Sequence, residues 1–207
     1  MGEIPMIEYF TRYYDRLLSA TLEHLEIVLI TLVISLVIAA LLTVACSYSK
    51  LLSKLLLNLL SMIYSIPSLA LLALLIPMTG LGKGTAIIVL VIYNQYLFLR
   101  NFLAGLDGVD KGILEAATGM GMTHMQRLMK IQVPLAKPAL VAGLRIALVS
   151  TVGIATIAAS INAGGLGTLL FDGLRTINTV KILWGSILSA GLAILVNWLL
   201  KLVEERV

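Results

Sequence analysis

The polar residues of this chain fall in clumps, and between the clumps lie apolar runs as long as a bilayer is thick. Five such runs can be drawn: Ile27–Cys46, about Leu55–Pro77, a third that starts near Thr85, Pro138–Ile161, and about Ile182–Leu202. A helix rises ~1.5 Å per residue, so ~20 apolar residues cross the hydrocarbon layer. The pattern therefore predicts an all-α integral membrane protein with five transmembrane helices and a single domain over residues 1–207. Ahead of the first run, Ile7, Phe10, Tyr13, Tyr14, Leu17 and Leu18 recur at roughly helical spacing opposite Arg12, Asp15 and Arg16. That spacing predicts an N-terminal interfacial helix with its tyrosines at headgroup level. A secretory signal is not expected, because Glu3 and Glu8 stand where its cations would be and no cleavage-like stop follows the first run.

The interval between the third and fourth runs, 107–138, has a pattern of its own. Asp110 can cap a short helix through Ile113, Leu114, Glu115, Ala116 and Ala117, and Gly119 and Gly121 can stop it, with Gly119 expected to take the left-handed turn. Thr123 and Gln126 form a capping box for a second short helix with Met125, Leu128, Met129 and Gln132 on one face. Pro134 is expected to close it, and Pro138 to sit in the first turn of the next run. Two short helices at an angle, bracketed by spanning segments, have the shape of a docking element.

Composition sharpens the class. Hydrophobic residues make up 59% and charged residues 13%, against roughly 45–50% and 25% in soluble domains. The formal charge of +4 is carried by cations at the ends of apolar runs, which the membrane explains without a nucleic-acid partner. Cys46 is the only cysteine, so no internal disulfide is possible, and it reads as a small packing residue. No His/Cys/Asp/Glu cluster has metal-ligand spacing. His24 reads as a hydrated interfacial residue, and His124 falls on the opposite side of the membrane. The glycine-rich turn Met78–Gly84 fails as a phosphate loop, since Pro77 stands where its first glycine belongs and Gly84 where Ser or Thr belongs. No cofactor is expected on this chain.

Several polar residues interrupt the runs. Tyr64-Ser65-Ile66-Pro67 breaks the second, where a proline frees a carbonyl that lines a pathway or marks a packing kink. Asn94, Gln95 and Arg100 lie in the third. The fourth holds Arg145 and a series of small and hydroxyl residues, Thr151 and Thr156 among them, that let helices approach closely. Arg145 either faces protein or water, or snorkels to the interface two turns away. Tyr64, Pro67, Asn94, Gln95, Arg145, Thr151 and Thr156 are the candidate lining of a translocation path. With the N-terminus outside, the inner segments carry nine cations (Lys50, Lys54, Arg100, Lys111, Arg127, Lys130, Lys137, Lys201, Arg206) and the outer segments five (Arg12, Arg16, Lys83, Arg175, Lys181). The positive-inside rule thus favours Met1 outside, Val207 inside and 107–138 in the cytoplasm.

Glu115-Ala116-Ala117 with Gly119, Gly121 and the run to Ile131-Gln132-Val133-Pro134 resembles the EAA loop of ABC-importer permeases. The resemblance implies the type I importer permease fold, with the two short helices as cytoplasmic coupling helices. Glu115, Ala116, Ala117, Gly119 and Gly121 would be the residues that meet a cytoplasmic ABC ATPase, the subunit that binds ATP. Five spans with the loop after the third is similar to the small permeases of methionine uptake. Residues 65–71 (SIPSLAL), 115–123 (EAATGMGMT), 153–159 (GIATIAA) and 164–167 (GGLG) resemble the permeases of glycine betaine/carnitine/choline importers. This implies a bacterial inner-membrane protein that works with a second permease subunit and an extracellular or periplasmic substrate-binding protein. The binding protein is expected from another chain, since the sequence stops at Val207. Tyr64, Tyr93 and Tyr96 are the membrane aromatics available for an ammonium cage; packing or interfacial anchoring is the other reading. Import of methionine or an ergothioneine-like betaine is a rival within the class, and a stand-alone channel or secondary carrier is a rival outside it.

Overall fold

A computed structural model describes residues 5–206; Met1, Glu3 and Val207, and with them the expected sides of the two termini, lie outside these. Among the described residues every regular element is helical. The first, α1 (Met6–Ser47), contains neither glycine nor proline and runs on for 42 residues, bent only at Tyr13 (φ −124°, ψ 21°). The expected interfacial helix and the first span are therefore one helix, since nothing in the sequence stops it. At ~1.5 Å per residue it is about twice as long as the hydrocarbon layer is thick. Its amino-terminal part is packed on protein as well as exposed: Tyr9, Leu17 and Ala20 cluster with Leu166, Leu169 and Val180, while Ile7, Phe10, Tyr14 and Leu18 point outward.

α2 (Lys50–Tyr64) starts at Ser49, whose hydroxyl accepts from the Leu52 amide, and α3 (Ser68–Thr79) leaves it at 95°. The sequence anticipates a kinked span here; the structure has a right-angled break. Pro67 lacks an N–H and disfavours helical backbone at the residue before it, which is enough to end α2. α4 (Lys83–Asp107) lies parallel to α1, with Lys83 on Glu26 and Asn94 on Ser35. Two neighbouring helices can run parallel only if the chain returns across the layer between them. Hence α2 and α3 together make one crossing, the fifth beside four helices long and apolar enough to cross a membrane alone.

After α4 come α5 (Lys111–Gly119), α6 (His124–Arg127), a π-helical turn at Leu128–Gln132, α7 (Val133–Leu135) and then α8 (Lys137–Ala158). α8 runs antiparallel to α4 in tight register. A Cβ on Gly105 would come within 2.8 Å of that of Ala139, and one on Gly143 within 2.7 Å of that of Asn101. Gly143, Ala147, Thr151 and Ala155 recur every fourth residue and are all buried, so small side chains set the distance between the two helices.

The sequence places a loop from Asn162 to the last span. The structure instead forms α9 (Gly167–Thr176) and turns through Ile177 (φ 52°) into α10 (Thr179–Glu204), an antiparallel hairpin clasped by Lys181 on Asp172 at 2.6 Å. His24 is also corrected. It is fully buried, its Nε2 lies 3.2 Å from the Val152 carbonyl, and Gly165 sits so close that a Cβ there would be 2.9 Å from its Nδ1. The unbroken α1 carries it beneath the 162–167 loop, where Glu23 accepts from the Gly165 amide. Cys46 is buried, as expected.

Gly143→Leu should separate α4 from α8 and lower stability by about 1–3 kcal/mol or more, whereas Gly153→Leu, at a position with open space around it, should not. Thermal unfolding of the detergent-purified variants measures the difference.

Candidate functional site

The 107–138 segment is built largely from local hydrogen bonds. The Asp110 carboxylate accepts from the Ile113 amide at 3.2 Å and starts α5, as expected. At its end the Met122 amide donates to Ala117 and the Gly121 amide to Thr118, with Gly121 at φ +79°. This pair of bonds around a left-handed residue is a Schellman motif. The expected left-handed residue is therefore corrected: Gly121 takes the turn, while Gly119 is the last helical residue and a Cβ on it would meet nothing within 4 Å. Thr123 and Gln126 form the expected capping box, at 3.3 and 2.9 Å.

Pro134 does not close the second helix. The backbone widens into the π-helical turn, in which the Val133 amide donates to Leu128, and continues to Leu135. A proline ring crowds the carbonyl four residues earlier and offers it no N–H; one wider turn relieves the crowding. The chain changes direction at Ala136 (φ −85°, ψ −3°), and Pro138 lies in the first turn of α8.

Side chains fasten this segment to the ends of the spans. His124 Nε2 and Ser47 Oγ are hydrogen-bonded at 3.0 Å and the His124 ring stacks on Tyr48 at 4.3 Å. Gln132 donates to the Leu106 carbonyl, and Arg127 joins the two short helices through Thr118 Oγ1 at 2.7 Å. Ala117 is fully buried, the small residue that lets α5 lie down on the bundle. Glu115, Ala116, Gly119 and Gly121 are exposed, beside the outward apolar side chains of Ile113 and Met120. A groove of about 330 Å³ lined by Lys111, Glu115, His124 and Arg127 runs between α5 and α6. Around the corner a cavity of about 590 Å³ gathers Lys50, Lys54 and Lys111. The face therefore offers exposed apolar side chains within a rim of charge.

The residues picked for a path fall into separate places. Asn94 and Thr151 bond each other reciprocally, at 2.9 and 3.1 Å, and Asn94 reaches Ser35 at 3.4 Å. Gln95 donates to the Ser35 and Val91 carbonyls. All three lie buried within the bundle and tie α1, α4 and α8 together. Thr156, half-buried, bonds back to Val152. Arg145 faces protein: its guanidinium pairs with Glu204 at 3.0 Å and reaches Asn197 at 3.4 Å, both on α10. Tyr64 and Pro67 stand at the α2–α3 break, where Tyr64 meets Tyr93 and Tyr96 with ring centroids 5.5 and 5.0 Å away. Ser35, Asn197 and Glu204 escaped the sequence reading. Ser35 is one hydroxyl in an apolar run and Glu204 reads as part of a charged tail, so neither carries a local signal.

The model of the binding-protein-dependent transport system inner membrane component family matches residues 32–207. The chain is 37% identical to the glycine betaine/carnitine/choline transport system permease protein OpuCB of Bacillus subtilis (strain 168), over 98% of this chain and 93% of that protein. It is 33% identical to the choline transport system permease protein OpuBB of the same organism, over 97% of this chain and 93% of that protein. Among solved structures, an inward-facing conformation of the MetNI methionine ABC transporter superposes with a TM-score of 0.83 at 24% identity, over 100% of this chain and 99% of that one.

Because Gly121 alone carries the left-handed turn, Gly121→Val should be strained by roughly 1–2 kcal/mol and loosen the segment, while Gly119→Ala should not. Faster tryptic cleavage at Lys111, Arg127 or Lys130 in the first variant and wild-type rates in the second is the expected result.

Proposed function

The chain belongs to the binding-protein-dependent transport system inner membrane component family, as a permease subunit of an ABC importer, and we propose that its cargo is a quaternary-amine compatible solute such as glycine betaine, carnitine or choline. The observation that supports this cargo is the 33–37% identity to permeases of such systems over nearly the whole chain. In this reading two permease subunits pair around a central path. A cytoplasmic ABC ATPase, which binds and hydrolyses ATP, docks on each 107–138 segment, and an external binding protein delivers the solute.

The physical role of each part follows. Ile113 and Met120 supply apolar contact, Glu115 an exposed carboxylate for a basic partner, and Ala116 and Gly119 a low surface for close approach. The Schellman turn and capping box hold α5 and α6 at a fixed angle, so a push on either moves both. Their bonds to Ser47, Leu106 and Tyr48 pass that motion to α1 and α4. Closure of the ATPase pair then rocks the spans and switches the path between the two sides. The exposed faces of α2, which buries none of its residues, and of α10 are left for lipid and the second permease. The orientation is N-terminus outside, with the 107–138 segment in the cytoplasm of a bacterial cell.

Topology is tested with Cys46→Ala/Met120→Cys, which places one thiol at an exposed loop position. It should be blocked by a permeant maleimide in intact cells and untouched by an impermeant one; labelling from outside would overturn the orientation. Coupling is tested by co-purifying the ATPase and measuring solute uptake at matched expression. Gly121→Val should lose most of both, and Glu115→Ala should act more mildly, because an exposed ion pair is worth ~0–1 kcal/mol. Uptake by the permease alone, driven by a sodium or proton gradient, would instead favour a secondary carrier.

A further inference from the structure

The break between α2 and α3 leaves irregular backbone at the centre of the layer. Tyr93 stands near the middle of the 25 residues of α4, and its hydroxyl donates to the Ile66 carbonyl at 2.6 Å, which fixes the break at the same depth. Pro67 has no N–H to offer, and the Tyr64 and Ser65 carbonyls take no hydrogen bond from the described residues. Ser65, Ile66 and Pro67 are exposed on this subunit. Lipid cannot satisfy such carbonyls, so backbone of this kind persists at membrane depth only where protein covers it or water reaches it.

The side chains around the break have a chemistry of their own. Tyr64 and Tyr96 are half-buried, so part of each ring stays open, and Tyr93, buried behind them, meets the Tyr64 ring edge-on. One turn along α4 from Tyr96, and roughly 10 Å from Tyr93 toward Asp107, is Arg100. It is exposed, its guanidinium lies 5.9 Å from the Tyr96 ring and bonds its hydroxyl at 3.1 Å, and it forms no ion pair among the described residues. In the half of α4 that leads to the 107–138 segment, a cation without an ion-pair partner calls for a polar or anionic counterpart. Aromatic faces attract cations, above all quaternary ammonium groups that cannot donate hydrogen bonds.

We infer that Tyr64 and Tyr96 with Arg100, backed by the buried Tyr93, form a membrane-depth binding station for a small zwitterion, its ammonium against the two open rings and its carboxylate on the guanidinium. The inference rests on the proposed cargo and deepens it: the station distinguishes solutes that carry a carboxylate, such as glycine betaine and carnitine, from choline, which carries none. Arg100 would repel choline's ammonium and gain nothing in return, so it is the specificity-determining residue of the permease. The tyrosines serve all three solutes. The open Tyr64 and Ser65 carbonyls add acceptors that hold water beside the ammonium.

The test uses the whole importer, permease with its ATPase and binding protein, in proteoliposomes. Uptake of glycine betaine, carnitine and choline is read at saturating solute-loaded binding protein, with ATPase co-purification confirming assembly of each variant. Arg100→Gln should lower uptake of both zwitterions about tenfold or more while choline stays within about twofold. Arg100→Lys should recover part of the loss. Tyr64→Leu should lower uptake of all three by roughly threefold or more, and Tyr64→Phe, which keeps the ring, should not. Equal losses for choline and the zwitterions in Arg100→Gln, or no loss in either Arg100→Gln or Tyr64→Leu, would overturn the station while leaving the cargo intact. A wild-type importer that carries none of the three solutes overturns the cargo itself, and the station with it.

Discussion

A bilayer offers no hydrogen-bond partners, and most of this structure follows from that single fact. Every backbone amide and carbonyl in the hydrocarbon must be satisfied within the chain, which is why every regular element among the described residues is helical. Apolar side chains gain little by leaving lipid for one another, so the helices are positioned by shape and by polar bonds. Gly105 and Gly143 let α4 and α8 approach, and Asn94, Thr151, Ser35 and Gln95 fix α1, α4 and α8 at one height. The break at Ser65–Pro67 is the exception, and an exception to so costly a rule marks a place where the chain meets something other than lipid.

α4 is the helix through which these parts communicate. Near its middle, Tyr93 holds the break and Asn94 and Gln95 hold two other spans; at its end the Leu106 carbonyl receives Gln132. In the proposed cycle a displacement of the 107–138 segment therefore reaches the break along one continuous helix. Arg100 lies between the two, on the same length of α4, so the ring of Tyr96 and the docking segment are joined by rigid structure and not by loop.

The spans were legible in the sequence because length and apolarity are properties of a stretch read alone. The caps of α5 and α6 were legible for the same reason: Asp110, Thr123 and Gln126 act within three residues of themselves. What failed depended on distant or finely balanced geometry. Gly119 and Gly121 are equally able to turn the chain, and only the hydrogen bonds from Gly121 and Met122 decide between them. His24 is buried by a loop some 140 residues away, which no local pattern announces. α9 is short and held by its hairpin with α10, so its ten residues carry too little periodicity to stand out from a loop. The residues picked for a path could not be sorted from the sequence, because each reads alike as a polar or aromatic interruption of an apolar run. Asn94, Gln95 and Thr151 are fasteners inside one subunit, while Tyr64 and Pro67 are at a surface.

Arg145 shows how the same physics treats a charge. On sequence it could have snorkelled or turned inward, and the structure turns it onto Glu204 and Asn197 of α10. Both charged side chains stay about a quarter exposed (27% and 26%), so the pair is neither fully desolvated nor free in water. Removing one partner would strand the other, which costs more than the pair itself contributes. α10 is otherwise lightly held. Leu192, Val196 and Leu200 rest on the core yet remain half-exposed, and only Val180 and Gly185 are buried. Its first turns are clasped by Asp172 and by Trp184 on the Met6 carbonyl, its last turn by Arg145. A helix fixed at both ends by polar contacts, with an open apolar face between, can accept lipid or a second subunit along its length and keep its place in the bundle.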